Sequence, residues 1–261
     1  MTRYAVKVGY RGSDFSGSQI QPGLRTVEGD ILQALVETGN GRPPEWFDLK
    51  MAGRTDAGVN ALGNVAVFNT EFRDPETMLR ALNGSTDGIF FRAAAEVDED
   101  FRPRHALTRT YRYLIPSFRT DLEKVRECAA LFVGTHDFVR FYKTEGDGKG
   151  TVIDVQSITV EDRGEAYVLT FTADHFLWNM IRRISAAIIK VGRGRVPLET
   201  VKRAVDGEDI TFGLAPPGAL TLTDVTYPDL EFTEYRSGVL DRKVRPLLFD
   251  NAVAEDFLRS I

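Results

Sequence analysis

The chain opens on an alternation of period two. Tyr4, Val6, Val8 and Tyr10 stand apart from Ala5, Lys7 and Gly9, which predicts a first strand. Thr26 then reads as an N-cap. Val27, Ile31, Ala34 and Leu35 follow at helical spacing, with Glu28 and Asp30 in the first turn where the helix dipole favours acids. A strand is expected over Phe47–Ala52, then a glycine-rich loop through Asp56, then a strand ending in the apolar run Val65-Ala66-Val67-Phe68. Pro75 opens a helix that puts Met78, Leu79 and Leu82 on one face, and Ile89–Val97 returns as a strand.

The second half uses the same alphabet. His105–Ile115 predicts a strand, Leu122–Val133 a helix stopped by Gly134, and Thr144–Gly150 a flexible loop. Ile153–Glu161 and Ala166–Ala173 predict a hairpin around Arg163-Gly164-Glu165. An apolar helix with embedded arginines is expected from Phe176 to Val191, then a helix with Pro197 at its start, then a last strand reaching Tyr227. This order predicts an α+β protein of two ferredoxin-like domains, residues 1–103 and 104–261. Each would be a mostly antiparallel sheet with helices on one face, with the active-site cleft between them.

Composition narrows the class. The 261 residues are 43% apolar and 27% charged, the balance of an ordinary globular protein. The lone Cys128 lies on an apolar helical pattern and reads as a buried core residue. Three separated histidines and no CxxC or HExxH spacing argue against a metal. The N-terminus starts directly in a strand, and no apolar run is long enough to span a bilayer, so a cytoplasmic location is expected. A net charge of −5 argues against bulk electrostatic binding of nucleic acid. Arginines nonetheless collect at 102, 104, 109 and 112 and again at 182, 183, 193 and 195, enough for one basic groove.

Chemistry concentrates in Ala52-Gly53-Arg54-Thr55-Asp56-Ala57-Gly58-Val59-Asn60-Ala61-Leu62-Gly63-Asn64. Read alone, an aspartate in such a turn is more often an Asx-turn former than a catalyst. Thr108-Arg109-Thr110-Tyr111-Arg112-Tyr113 reads alone as a half-buried strand. Phe176-Leu177-Trp178-Asn179-Met180-Ile181-Arg182-Arg183-Ile184 embeds a guanidinium in apolar surroundings, so Arg182 or Arg183 should have a carboxylate partner. The glycines of 9–17 lack both GK[ST] and GxGxxG, which rejects a nucleotide-binding loop.

Together, and in this order, these segments resemble the tRNA pseudouridine synthase A family. The 52–64 run is similar to RTDxGVHAxGQ, residues 108–113 to SRTYRY, and residues 176–184 to FLxxMVRxI. Val191-Gly192-Arg193-Gly194 matches VGRG, and Ala215–Leu220 matches APxxGL. Asn60 replaces the usual histidine, Asn64 the usual glutamine, Arg11 an aspartate and Ser18 an aromatic. The resemblance implies that Asp56 is the nucleophile, that Tyr111 packs on the target base and takes part in the proton chemistry at its C5, and that Arg182 pairs with Asp56. It implies RNA contacts for Arg54 and Arg193, tRNA as substrate, a homodimer, and no cofactor or metal. The expected reaction is isomerisation of uridine in the anticodon stem-loop, positions 38–40. Two other classes stay open: a noncatalytic tRNA-binding module, against which the single carboxylate and its expected arginine count, and a nucleoside hydrolase, which would need a second carboxylate for water.

Overall fold

A computed structural model describes residues 1–143, 150–235 and 238–260. The expected 144–150 loop falls, except for Gly150, outside the described residues. The elements in chain order are β1 (Thr2–Tyr10), α1 (Val27–Thr38), β2 (Lys50–Met51), β3 (Asn60–Thr70), α2 (Pro75–Ser85), β4 (Ile89–Glu96), β5 (Thr108–Pro116) and α3 (Leu122–Ala130). They continue with β6 (Gly134–Asp137), β7 (Val152–Asp162), β8 (Ala166–Ala173), α4 (Met180–Gly192), α5 (Leu198–Val205), β9 (Leu220–Thr226), β10 (Thr233–Glu234) and α6 (Gly238–Arg259). Ten strands among the described residues share one sheet in the order β10-β4-β1-β3-β9-β5-β8-β7-β6, with β2 beside β3. Among the described residues every pairing is antiparallel except a short parallel contact of β3 with β9. The protein is therefore α+β, with one sheet running unbroken through both halves of the chain.

The seam between β3 and β9 explains a glycine. A Cβ at Gly63 would lie 2.4 Å from the Thr223 carbonyl oxygen, so only glycine admits β9 this close. An ion pair with a buried lysine also crosses this part of the sheet. The Lys7 ammonium of β1 meets the Asp224 carboxylate and the Val225 carbonyl of β9, and lies 4.6 Å over the ring of Phe232. Burial lowers the Lys7 pKa, while the Asp224 contact opposes that shift.

Several elements depart from the pattern. The alternation of β1 suits a strand with one face in water, yet residues of both faces are buried along its length. Arg3 and Lys7 are 5% and 8% exposed, with Asp48 and Asn69 partnering the arginine. The strand expected over Phe47–Ala52 shrinks to two residues, since Pro44–Phe47 form a 3₁₀ turn that ends in left-handed Asp48. The helix expected from Phe176 starts only at Met180. Asn179 before it is left-handed, at φ 63°, and leaves Phe176, Leu177 and Trp178 outside the helix. The helix from Leu122 ends at Ala130, and Gly134 opens a strand. Pro197 caps α5 and is not its first residue.

α2 packs on β4 and α1, and α3 packs on β7, α4 and α5. Cys128 is fully buried on α3, and burial pushes its thiol up to about 12. α6 stands apart. It touches α2 and is anchored through Lys243, whose ammonium meets the Thr86 carbonyl, while Leu248, Phe249, Val253 and Phe257 remain more than half exposed.

Candidate active site

The segment between β2 and β3 is held in shape by side chains from its surroundings. The Asn64 amide grips Gly53 from both sides: Gly53 N–H donates to Asn64 Oδ1 at 3.1 Å, and Asn64 Nδ2 donates to the Gly53 carbonyl at 2.9 Å. Asn64 Nδ2 also donates to the Tyr10 hydroxyl at 3.1 Å, and that hydroxyl is 2.9 Å from Thr55 Oγ1. On the other side Ser18 N–H donates to the Thr55 carbonyl at 3.0 Å, and Thr55 N–H donates to Ser18 Oγ at 2.8 Å. The buried side chains of Tyr10, Ser18, Thr55 and Asn64 thus all have partners, as burial requires.

The loop after β1 forms the floor. Gly58 N–H donates to the Gly12 carbonyl at 3.2 Å, and a Cβ at Gly12 would fall 2.4 Å from the backbone carbons of Gly58 and Val59. Asn60 ties this floor to the last turn before β9. Its Oδ1 accepts from Gly12 N–H at 2.9 Å, and its Nδ2 donates to the Gly218 carbonyl at 2.9 Å. Asn60, Asn64 and Ser18, three departures from the family pattern, are thus the residues that fasten the loop.

Asp56 projects from this scaffold toward α4. Arg182 Nη1 donates to Asp56 Oδ2 at 3.1 Å, joining residues 126 positions apart. The same guanidinium donates through Nε to the Ala215 carbonyl at 2.8 Å and through Nη1 to Asn179 Oδ1 at 3.1 Å. The Arg182 side chain is 12% exposed and that of Asp56 32%, so the pair is shielded on the arginine side and open on the carboxylate side. The other oxygen of Asp56 accepts from Trp178 Nε1–H at 2.8 Å.

Tyr111 comes from β5, 8% exposed, with its ring edge-to-face against Phe176 at 5.4 Å between centroids. Burial pushes its phenol well above the ordinary range, so the neutral form persists at physiological pH. Arg109, also on β5, is bound by backbone carbonyls of Ala52, Arg104 and Asp174 and so ties the Asp56 segment to the second half of the chain. Asp56, Tyr111, Arg182 and the exposed Arg54 line one cavity of about 740 Å³, with walls from both halves of the chain. Arg193 does not line it. It follows α4 at the end opposite Arg182, about 16 Å away along the helix axis at the usual rise per residue.

The pocket can hold a planar nucleobase beside the Asp56 carboxylate, with an aromatic wall from Tyr111 and cationic side chains in its lining. Among the described residues no group of three or more histidine, cysteine or acidic side chains converges to hold a metal ion. Trp178, Asn179 and Lys143 were missed as site residues by the sequence reading. Trp178 and Asn179 lie inside the FLxxMVRxI-like segment, where the variable positions gave no signal.

Comparison with known proteins follows the same lines. The family model described as tRNA pseudouridine synthase matches residues 128–228, which include Trp178 and Arg182. A tRNA pseudouridine synthase A of Pyrococcus abyssi is 40% identical over 88% of this chain and 86% of its own length. That of Thermococcus kodakarensis is 38% identical over 95% and 92%, and that of Methanocella arvoryzae 40% over 88% and 86%. A solved Cbf5-Nop10-Gar1 complex aligns at 12% identity and a TM-score of 0.35, covering 84% of this chain and 58% of that one, too distant to bear on the arrangement described above. With relatives at that identity along nearly its whole length, the chain belongs to the tRNA pseudouridine synthase A family.

Proposed function

We propose that this chain isomerises uridine to pseudouridine in the anticodon stem-loop of tRNA, at positions 38–40, with Asp56 as the nucleophile. The N1–C1′ bond breaks, the uracil turns, and a C5–C1′ bond forms as the C5 proton leaves and a proton is taken up at N1. No atom is gained or lost overall. The observation that carries this reading is a carboxylate set at a cavity of nucleotide size and paired with the largely shielded Arg182. Such a pair keeps a negative charge compensated without filling its open side.

The target uridine must leave its stack to reach Asp56. Tyr111 gives a flat wall against which the base packs, and its hydroxyl is the group we assign to the proton chemistry at C5. Arg54, exposed at the mouth, holds a phosphate or fills the space the base leaves. Arg193 lies too far along α4 to meet the same nucleotide, and we assign it a contact with a neighbouring part of the RNA. We keep residues 1–103 and 104–261 as two units that flank the cleft, with the chain passing from one to the other between β4 and β5 and the sheet joining them at β3 and β9.

A homodimer and a cytoplasmic location belong to the same reading. The exposed Leu248, Phe249, Val253 and Phe257 of α6 are apolar surface of the kind a second copy covers. Among the described residues no helix is long and apolar enough to cross a membrane.

The test is incubation of purified protein with unmodified tRNA, followed by nucleoside chromatography and position mapping. Pseudouridine at 38–40 without free uracil supports the reading. Free uracil would point to hydrolysis, and bound but unchanged tRNA to a binding module.

A further inference from the structure

Asp56 accepts a donor on each oxygen, and the proposed reaction so far draws only on Arg182. The second donor is the Trp178 indole, 2.8 Å from Oδ1. It is held differently from the arginine. Arg182 is fixed by the Ala215 carbonyl and by Asn179. Trp178 is 38% exposed beside the cavity, with the Lys143 ammonium 4.0 Å from its ring centroid. Lys143 N–H also donates to the Trp178 carbonyl at 2.9 Å. The left-handed Asn179 makes this placement possible, because a helix continued back through Trp178 would carry the indole elsewhere.

One N–H on Oδ2 leaves a carboxylate free to turn about its Cβ–Cγ bond. A second N–H on Oδ1 fixes its plane. An ionised carboxylate offers about four lone-pair sites, so two donors leave room for an attacking lone pair. We propose that Trp178 is a positioning residue for the isomerisation: its indole N–H and the Arg182 guanidinium together hold the Asp56 carboxylate in one orientation, and Lys143 keeps the indole seated. This rests on the assignment of Asp56 as nucleophile. A phenylalanine at 178 would keep the apolar wall and lose the donor.

The experiment uses the full chain with Trp46→Phe, which leaves Trp178 as the single tryptophan. Position 178 then carries either tryptophan, phenylalanine or benzothienylalanine, the last replacing the indole N–H by sulfur at nearly the same shape. Loss of one hydrogen bond to a charged group predicts kcat lower by about 10- to 100-fold in both variants, with KM for tRNA and thermal midpoint unchanged. Independently of activity, the indole N–H resonance of the Trp46→Phe protein should move upfield, and its exchange with water should quicken, on Asp56→Ala. Wild-type kcat in the benzothienyl protein, a raised KM with kcat unchanged, or an indole resonance indifferent to Asp56→Ala would each overturn the role. A Trp46→Phe parent that binds tRNA and makes no pseudouridine would overturn the earlier reading and this role with it. An active parent with an equally active benzothienyl variant overturns this role alone.

Discussion

Arg182 serves three acceptors with one guanidinium: the Asp56 carboxylate, the Ala215 carbonyl and the Asn179 amide oxygen. Its loss therefore has two consequences. Arg182→Met should lower pseudouridine formation by about 100-fold or more, since Asp56 loses its shielded counter-charge. It should also cost about 1–3 kcal/mol of stability, because buried acceptors lose a donor. Arg182→Lys keeps the charge and loses the planar fork, so partial activity is expected with a smaller loss of stability. Rate and denaturation measured on the same preparations separate the two effects. At Tyr111, substitution by phenylalanine should preserve tRNA affinity and slow turnover strongly, while alanine should lose both; equal rates for the phenylalanine variant and wild type would leave only the packing role. That Asp56, Tyr111 and Arg182 meet at one cavity was legible in the sequence because each sits inside a segment that resembles a family motif. The grip of Asn64 on Gly53 and the reach of Trp178 to Asp56 were not, because both arise only when distant segments meet.

Elements show where a periodic pattern informs and where it misleads. The alternation of β1 gave the strand and said nothing of its burial, which for Arg3 and Lys7 depends on the partners Asp48 and Asp224 from distant segments. The Lys7–Asp224 pair should be asymmetric to mutation. Asp224→Ala leaves a buried ammonium without its counter-charge and should cost about 2–3 kcal/mol. Lys7→Met removes the buried charge and leaves a half-exposed carboxylate that water can serve, so the change should stay within about 1 kcal/mol. Chemical denaturation of the two variants checks the order, and equal costs would contradict it. The starts of α1 and α2 were readable, α1 from Thr26, whose side chain accepts in the first turn, and α2 from Pro75; the cap Asp74 was not singled out. The start of α4 was not, since apolar spacing continues through Phe176–Trp178 while the backbone turns left-handed at Asn179. β6 and β10, four and two residues long, are too short to carry a pattern of their own.

At the scale of the molecule, one sheet carries both halves of the site. β3 follows directly on the Asp56 segment, β5 carries Tyr111, and β9 lies between them. Arg182 reaches Asp56 from α4 across that seam. The α+β class was legible from element order, whereas the unbroken sheet was not. It depends on the close approach of β3 and β9 at Gly63, which involves residues far apart in sequence. The central claim is that the carboxylate at this junction performs the isomerisation, and Asp56→Asn tests it most directly, since the amide keeps the size and removes the negative charge. Purified wild-type and variant proteins would be given the same tRNA, with binding measured by titration and pseudouridine by mapping after single-turnover incubation. The account predicts near-equal affinity, because RNA binding rests mainly on many phosphate and shape contacts, and a rate lower by about a thousandfold or more in the variant. Pseudouridine formation by the Asn variant at a rate near that of the wild type would contradict it.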